Sequence, residues 1–149
     1  IAFVFAGALL TANAQWLNYP TPGTPRTRDG KAFVDIIENY RRGVGVVDAP
    51  GQATTIGVVA TNASGLTKAQ MKKIAEMAQD GMARTINPAH TMGDGDTLFA
   101  ISTATSTVKG NVTALGALAA EAGSEAILRA VMKAQAIAGY PSYRDITRQ

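Results

Sequence analysis

Apolar and polar positions repeat with different periods along the chain, and the changes of period mark its elements. Phe33, Ile36, Ile37 and Tyr40 recur at helical spacing. They predict a short amphipathic helix ending near Arg41-Arg42-Gly43, where basic residues suit a helix C-terminus and Gly suits the cap. Val44 to Val47 predicts a short strand, and Pro50-Gly51 a turn after it. Ile56, Val58, Val59 and Ala60 make a near-continuous apolar run within Thr54 to Thr61, the pattern of a strand buried on both faces. Gly57 inside that run signals a bulge or a close backbone approach. Thr67 followed three residues later by Gln70 has the form of a capping box. Met71, Ile74, Ala75, Ala78 and Met82 then mark one helical face, with Lys68, Lys72, Glu76 and Gln79 on the wet side and Pro88 expected to end the helix. Thr97 to Thr103 reads as the next strand.

A longer helix is expected from Asn111 to Ala138, with Val112, Leu115, Leu118, Ala119, Ala122, Ala126, Val131 and Ala134 on or near one stripe and a stop at Gly139 and Pro141. Gly116, Ala120 and Gly123 keep part of its surface small, which favours tight packing on another element. Glu121, Glu125, Arg129 and Lys133 interrupt it at regular intervals, which argues against a membrane role.

The two ends of the leader carry different patterns. Residues 1–14 are an apolar stretch with small residues at Ala12 and Ala14, the form of the h-region and cleavage site of a secretory signal, with cleavage before Gln15. No initiator Met or basic segment precedes it. The run is too short for a membrane span, which needs about 20 apolar residues. The expectation is a signal remnant and a secreted or periplasmic protein with no membrane attachment after its removal; the competing reading of these residues is a buried N-terminal strand or helix. Pro20, Pro22, Pro25 and Gly23 then favour a turn-rich linker, so 15–53 reads as a linker-like leader with one short helix, and 54–149 as the catalytic region.

Composition narrows the chemistry. With 149 residues, 46% of them hydrophobic, the chain can bury one core. The net charge of +3 is spread along the sequence without interleaved aromatics, which describes a solvated surface and not a nucleic-acid site. Cysteine is absent, so disulfides, thiol catalysis and thiolate metal sites are excluded. His90, the only histidine, has no HExxH spacing around it and reads as a structural loop residue. Asn62-Ala63-Ser64 and Asn111-Val112-Thr113 match glycosylation sequons of a kind frequent by chance.

Two features remain that can carry a reaction. Thr54 opens a strand, and a threonine hydroxyl becomes a good nucleophile when the α-amine of the same residue serves as its base. That amine exists only after the Ala53–Thr54 bond is cut, and Gly51 and Ala53 leave the preceding carbonyl accessible. Asp94 and Asp96, separated by Gly95, project to one side in an extended conformation, where a close pair raises the pKa of one member and can relay protons. Taken singly, Asp-Gly-Asp is more often a turn or a cation-binding loop, and a Thr pair at a strand start is more often simple β-propensity.

Together these features change the reading. Thr54-Thr55-Ile56-Gly57-Val58-Val59-Ala60-Thr61-Asn62-Ala63, then Leu66-Thr67-Lys68-Ala69-Gln70, then Ala78-Gln79-Asp80-Gly81-Met82-Ala83-Arg84, then Pro88-Ala89-His90-Thr91 and Asp94-Gly95-Asp96-Thr97-Leu98-Phe99-Ala100 resemble, in the same order and with nearly the same spacing, the DmpA-type aminopeptidases. This is the L-aminopeptidase/D-esterase family that includes nylon-oligomer hydrolase, and the likeness continues to Gly139-Tyr140-Pro141 and Arg144-Asp145. It implies an α/β/β/α sandwich made as a precursor that cuts itself into a large and a small subunit, the small one beginning with the nucleophile.

By that resemblance Thr54 is the nucleophile and Asp94 and Asp96 its acidic partners. No metal or organic cofactor is expected, the substrates are short peptides or amino-acid amides, and the protein assembles into homo-oligomers. The separation 94 − 54 = 40 is one longer than the family pattern. An extra residue at Ser64-Gly65 accounts for it; taking Thr55 as the first residue would also restore the spacing. The family usually places Asn before the nucleophile, where this chain has Ala53. Residues 15–53 match nothing of the large subunit's Gly-rich substrate segment, so most of that subunit is expected to be missing. The alternative is a non-catalytic or incomplete exported domain that needs a separate large-subunit partner.

Overall fold

A computed structural model of the chain describes residues 4–11, 36–43, 53–137 and 141–147. Its elements run β1 (Val4–Thr11), α1 (Ile36–Arg41), β2 (Ala53–Thr61), α2 (Lys68–Ala83), β3 (Thr97–Ser102), α3 (Val112–Lys133) and α4 (Tyr143–Thr147). The α/β expectation holds. The linker at Pro20 to Pro25, the strand at Val44 to Val47 and the turn at Pro50-Gly51 lie outside the described residues.

The three strands form one sheet in the order β1-β2-β3, antiparallel between β1 and β2 and parallel between β2 and β3. The parallel pair requires a crossover, and α2 supplies it. β1 lies within the stretch 1–14 for which a strand was the competing reading. Residues paired over the whole of Val4↔Ala60 to Thr11↔Ala53 are part of the sheet, and the competing reading of a strand describes them. An apolar run of this length satisfies an h-region and a strand equally well, which is why pattern alone did not separate them.

Burial alternates along β2. Thr55, Gly57, Val59 and Thr61 are buried, whereas Thr54, Ile56, Val58 and Ala60 are partly exposed. The buried set faces α2 and α3, which pack on each other and on the sheet. Val59, Ala63, Leu98, Ile74, Ala78, Met82, Leu115 and Ala119 form the core between them. On the other face Phe99 and Ile101 are 55% and 52% exposed, although they pair with Val58 and Ala60 in the middle of the sheet. The strand is therefore covered on one face, not both. A second sheet, as in a sandwich, is absent among the described residues.

The helix ends follow local chemistry. Thr67 caps α2, its hydroxyl accepting the Gln70 N–H while the Gln70 side chain accepts the Thr67 N–H at 2.8 Å, so the capping box is present. The helix stops at Ala83, before Pro88, because the buried Thr85 donates its hydroxyl back to the Gly81 carbonyl and its N–H to Met82. Asn111 caps α3, which ends at Lys133, short of the expected stop at Gly139. The small residues of α3 do meet another element. A Cβ on Gly116 would strike the Met77 sulfur, and one on Gly81 of α2 would strike the Ala120 carbonyl.

Candidate functional site

The parallel register brings the start of β2 to the start of β3. Ile56 pairs with Thr97, so one step back Thr55 lies beside Asp96 and Thr54 beside Gly95. The Thr55 N–H donates to Asp96 Oδ1 at 2.8 Å. The carboxylate thus takes an amide that would otherwise look for a ladder carbonyl on β3. Thr55 is 8% exposed, and its hydroxyl also supports the charged form of Asp96.

The second carboxylate has a different engagement. Asp94 Oδ2 accepts the Thr91 N–H at 2.7 Å, and the Asp94 N–H donates back to the Thr91 carbonyl at 3.1 Å. These bonds close a turn over residues 91–94. His90, just before it, has a φ of 57° and an Nε2 that lies 2.8 Å from Gln79 Oε1 on α2. The loop between α2 and β3 is therefore anchored at both ends, and its acidic tip is held against the edge where β2 begins.

The electrostatics single out Asp96. Burial pushes its carboxyl above the ordinary carboxylate range, the Thr55 N–H opposes that, and the Asp94 charge adds to it. Its raised value follows the expectation for one member of the pair, but desolvation outweighs the neighbouring charge. The Thr55 hydroxyl and His90 act in the opposite direction. Among the described residues no three carboxylate or imidazole groups come together in a way that would hold a metal ion.

Thr54 stands slightly apart. It pairs with Leu10 of β1, and no hydrogen bond links it to either carboxylate. By the alternation of the strand its side chain shares the face of Ile56 and Val58, opposite that of Thr55. So Asp96 bonds the residue after Thr54, while the Asp94 carboxylate bonds Thr91 within its own loop. Sequence reasoning weighed Thr55 only as an alternative first residue and missed its bond to Asp96, along with Gln79 and the field of His90. The signal for Thr55 was the spacing it restores; nothing in the sequence pointed to Gln79.

The sequons gain nothing from the structure. Asn62 Oδ1 is buried without a hydrogen-bond partner, and the Asn111 side chain is used as the cap of α3, accepting the Ala114 N–H at 3.0 Å.

Comparison with known proteins places these features in a family. The family model of Peptidase family S58 matches residues 3–144, a span that includes β1 and the whole of the Thr54 to Asp96 region. An uncharacterized aminopeptidase of Mycobacterium tuberculosis is 45% identical over 106 residues, covering 62% of this chain and 30% of the relative. An uncharacterized aminopeptidase of Mycobacterium leprae is 47% identical over 103 residues, covering 60% and 28%. A 6-aminohexanoate-oligomer endohydrolase of Paenarthrobacter ureafaciens is 35% identical over 88 residues, covering 52% and 24%. The chain spans about 30% or less of the length of these curated relatives. With the match running through nearly all of its residues, the chain belongs to Peptidase family S58.

Proposed function

We propose that residues 54–149 of this chain are the small-subunit part of an N-terminal-nucleophile amidohydrolase of aminopeptidase type. It acts on amide bonds of short peptides or amino-acid amides after self-cleavage before Thr54. Membership of a peptidase family supports the reaction class, and relatives named as aminopeptidases and as an oligomer endohydrolase support the amide bond as its target. The single observation that carries the site is the Asp96 carboxylate 2.8 Å from the backbone nitrogen of Thr55, with Asp94 on the same loop.

Self-cleavage begins with attack of the Thr54 Oγ on the Ala53 carbonyl carbon. The hydroxyl proton passes to the Thr54 nitrogen as its bond to Ala53 breaks, leaving an ester to Thr54 and a free α-amine. Water hydrolyses the ester, releasing the Ala53 carboxylate and restoring the hydroxyl. The amine then acts as base toward the same hydroxyl in each turnover, which forms an acyl-Thr54 and expels the substrate's amine before water releases the acid. Asp96 and Asp94 orient and balance the charge of that amine. The reading needs a free Thr54 nitrogen, so intact mass and N-terminal sequencing of purified protein test it directly. A fragment beginning at Thr54, lost in Thr54→Ala, is the expected result; an uncut chain with no hydrolysis of amino-acid amides, even beside a large-subunit partner, would sink it.

A second reading has its own observation. The uncovered Phe99 and Ile101 and the short coverage of the relatives favour an incomplete domain of the α/β/β/α sandwich that needs a separate large subunit. It predicts that cleavage and hydrolysis appear only when the residues of the missing sheet are supplied on a second chain.

A further inference from the structure

Resting on the reading of Thr54 as nucleophile, we propose that Thr55 is the positioning residue of the site: it holds the Asp96 carboxylate at the start of β2 and so fixes the residue from which Thr54 hangs.

Three observations on different parts of the fold meet here. The Thr55 N–H to Asp96 bond is 2.8 Å long and joins residues 41 apart in sequence, so it ties the start of β2 to the start of β3. Thr55 is 8% exposed on the helix-facing side of the sheet, where its position is fixed by the packing of β2 on the core. Thr54, by contrast, lies on the opposite face and has no bond to either acid.

Cutting the Ala53–Thr54 bond leaves Thr54 attached through a single peptide. Thr54 still pairs with Leu10 of β1, so its amine and hydroxyl turn only about the bonds of one residue, and everything from Thr55 onward stays in the ladder. A clamp at Thr55 sets the pivot of that rotation and places the carboxylate beside it. A chain start anchored one residue away confines the amine to a small volume next to Asp96, which is the proximity an intramolecular base requires. Without the clamp, both the strand end and the carboxylate lose their common reference.

The clamp is the backbone N–H, and the buried Thr55 side chain fixes where that N–H points. Thr55→Val keeps the N–H and the buried shape, whereas Thr55→Gly keeps the N–H and deletes that shape. The full chain is used, with its large-subunit partner if hydrolysis requires one. Two readouts are taken: the titration of Asp96 followed by carboxyl-carbon NMR, and the pH profile of cleavage or of amino-acid amide hydrolysis. Thr55→Gly is expected to loosen the bond and move the Asp96 midpoint upward, to shift the acid limb of the profile in the same direction and to lower kcat about tenfold or more with little change in KM. Thr55→Val, which loses only the smaller support of the hydroxyl, should keep both near those of the native chain.

An Asp96 midpoint that does not move in Thr55→Gly overturns the proposal, whatever the activity. So does a mature chain that begins at Thr55, because that residue would then be the nucleophile itself. If the midpoint moves while Thr54→Ala still hydrolyses substrate, the clamp stands and the assignment of Thr54 fails. A loss of structure in Thr55→Gly, seen in its NMR spectrum, is separated by Thr55→Ala, which deletes less of the buried side chain, and by Asp96→Asn, whose amide oxygen still accepts the Thr55 N–H.

Discussion

At the scale of single residues, Asp96 is tuned against its own stability. A carboxyl whose folded pKa is raised favours the neutral form in the folded state. Its stabilising contribution is therefore fully present below the ordinary carboxylate value and is lost as pH rises through the raised one. Asp96→Asn removes that loss. Its thermal midpoint should exceed that of the native chain at neutral pH, and the gap should close as the pH falls toward about 4. Melting curves at a series of pH values read this out, and a gap independent of pH would contradict it. The same variant should slow cleavage or hydrolysis by about 10² to 10⁴, the range for a positioned acid or base. Thr54, Asp94 and Asp96 stand out in the sequence as candidates because their chemistry is local to short motifs. The partner of Asp96 does not, since which of two adjacent threonines meets it depends on a parallel register set by the length of α2 and its packing. The role of Asp94 was half legible: the turn reading describes its bond to Thr91, and its charge still reaches Asp96.

At the scale of elements, caps were readable and ends were not. Thr67 and Gln70 satisfy each other's backbone donors within three residues, so their spacing is enough. Thr67→Ala should cost about 1 kcal/mol in chemical denaturation. The end of α2 depends on a buried hydroxyl turning back to Gly81, and nothing in the sequence distinguishes Thr85 from an exposed threonine. The α2–α3 contact makes a sharper prediction. Because a methyl group on Gly81 meets backbone atoms of Ala120 and Ser124 and no flexible side chain, the helices must move apart to admit it. Gly81→Ala should destabilise by roughly 1–3 kcal/mol despite its better helix propensity. Equal or higher stability in urea would show that the two helices are not packed as closely as described.

At the scale of the molecule, the sheet has one dressed face and one bare one. Phe99 and Ile101 stand in the open beside Val58, and an apolar surface of this kind draws partners or aggregates. Replacing both with threonine, which keeps β-propensity, should reduce light scattering of the isolated chain without changing its far-UV circular dichroism. Unchanged scattering would locate the association elsewhere. The family resemblance implied the α/β class, and residues 1–14 read as a signal remnant with a strand as the competing reading; the expected strand at Val44 to Val47 lies outside the described residues. The order of the sheet gives β1 a meaning of its own. With β2 between β1 and β3, a break at Ala53–Thr54 severs the chain without releasing any strand, since seven residues of β1, Val4 to Leu10, remain zipped to the far side of the new end. The processed protein should run as two pieces on a denaturing gel and as one on a sizing column, and a peptide of residues 1–53 added to 54–149 should find its groove again.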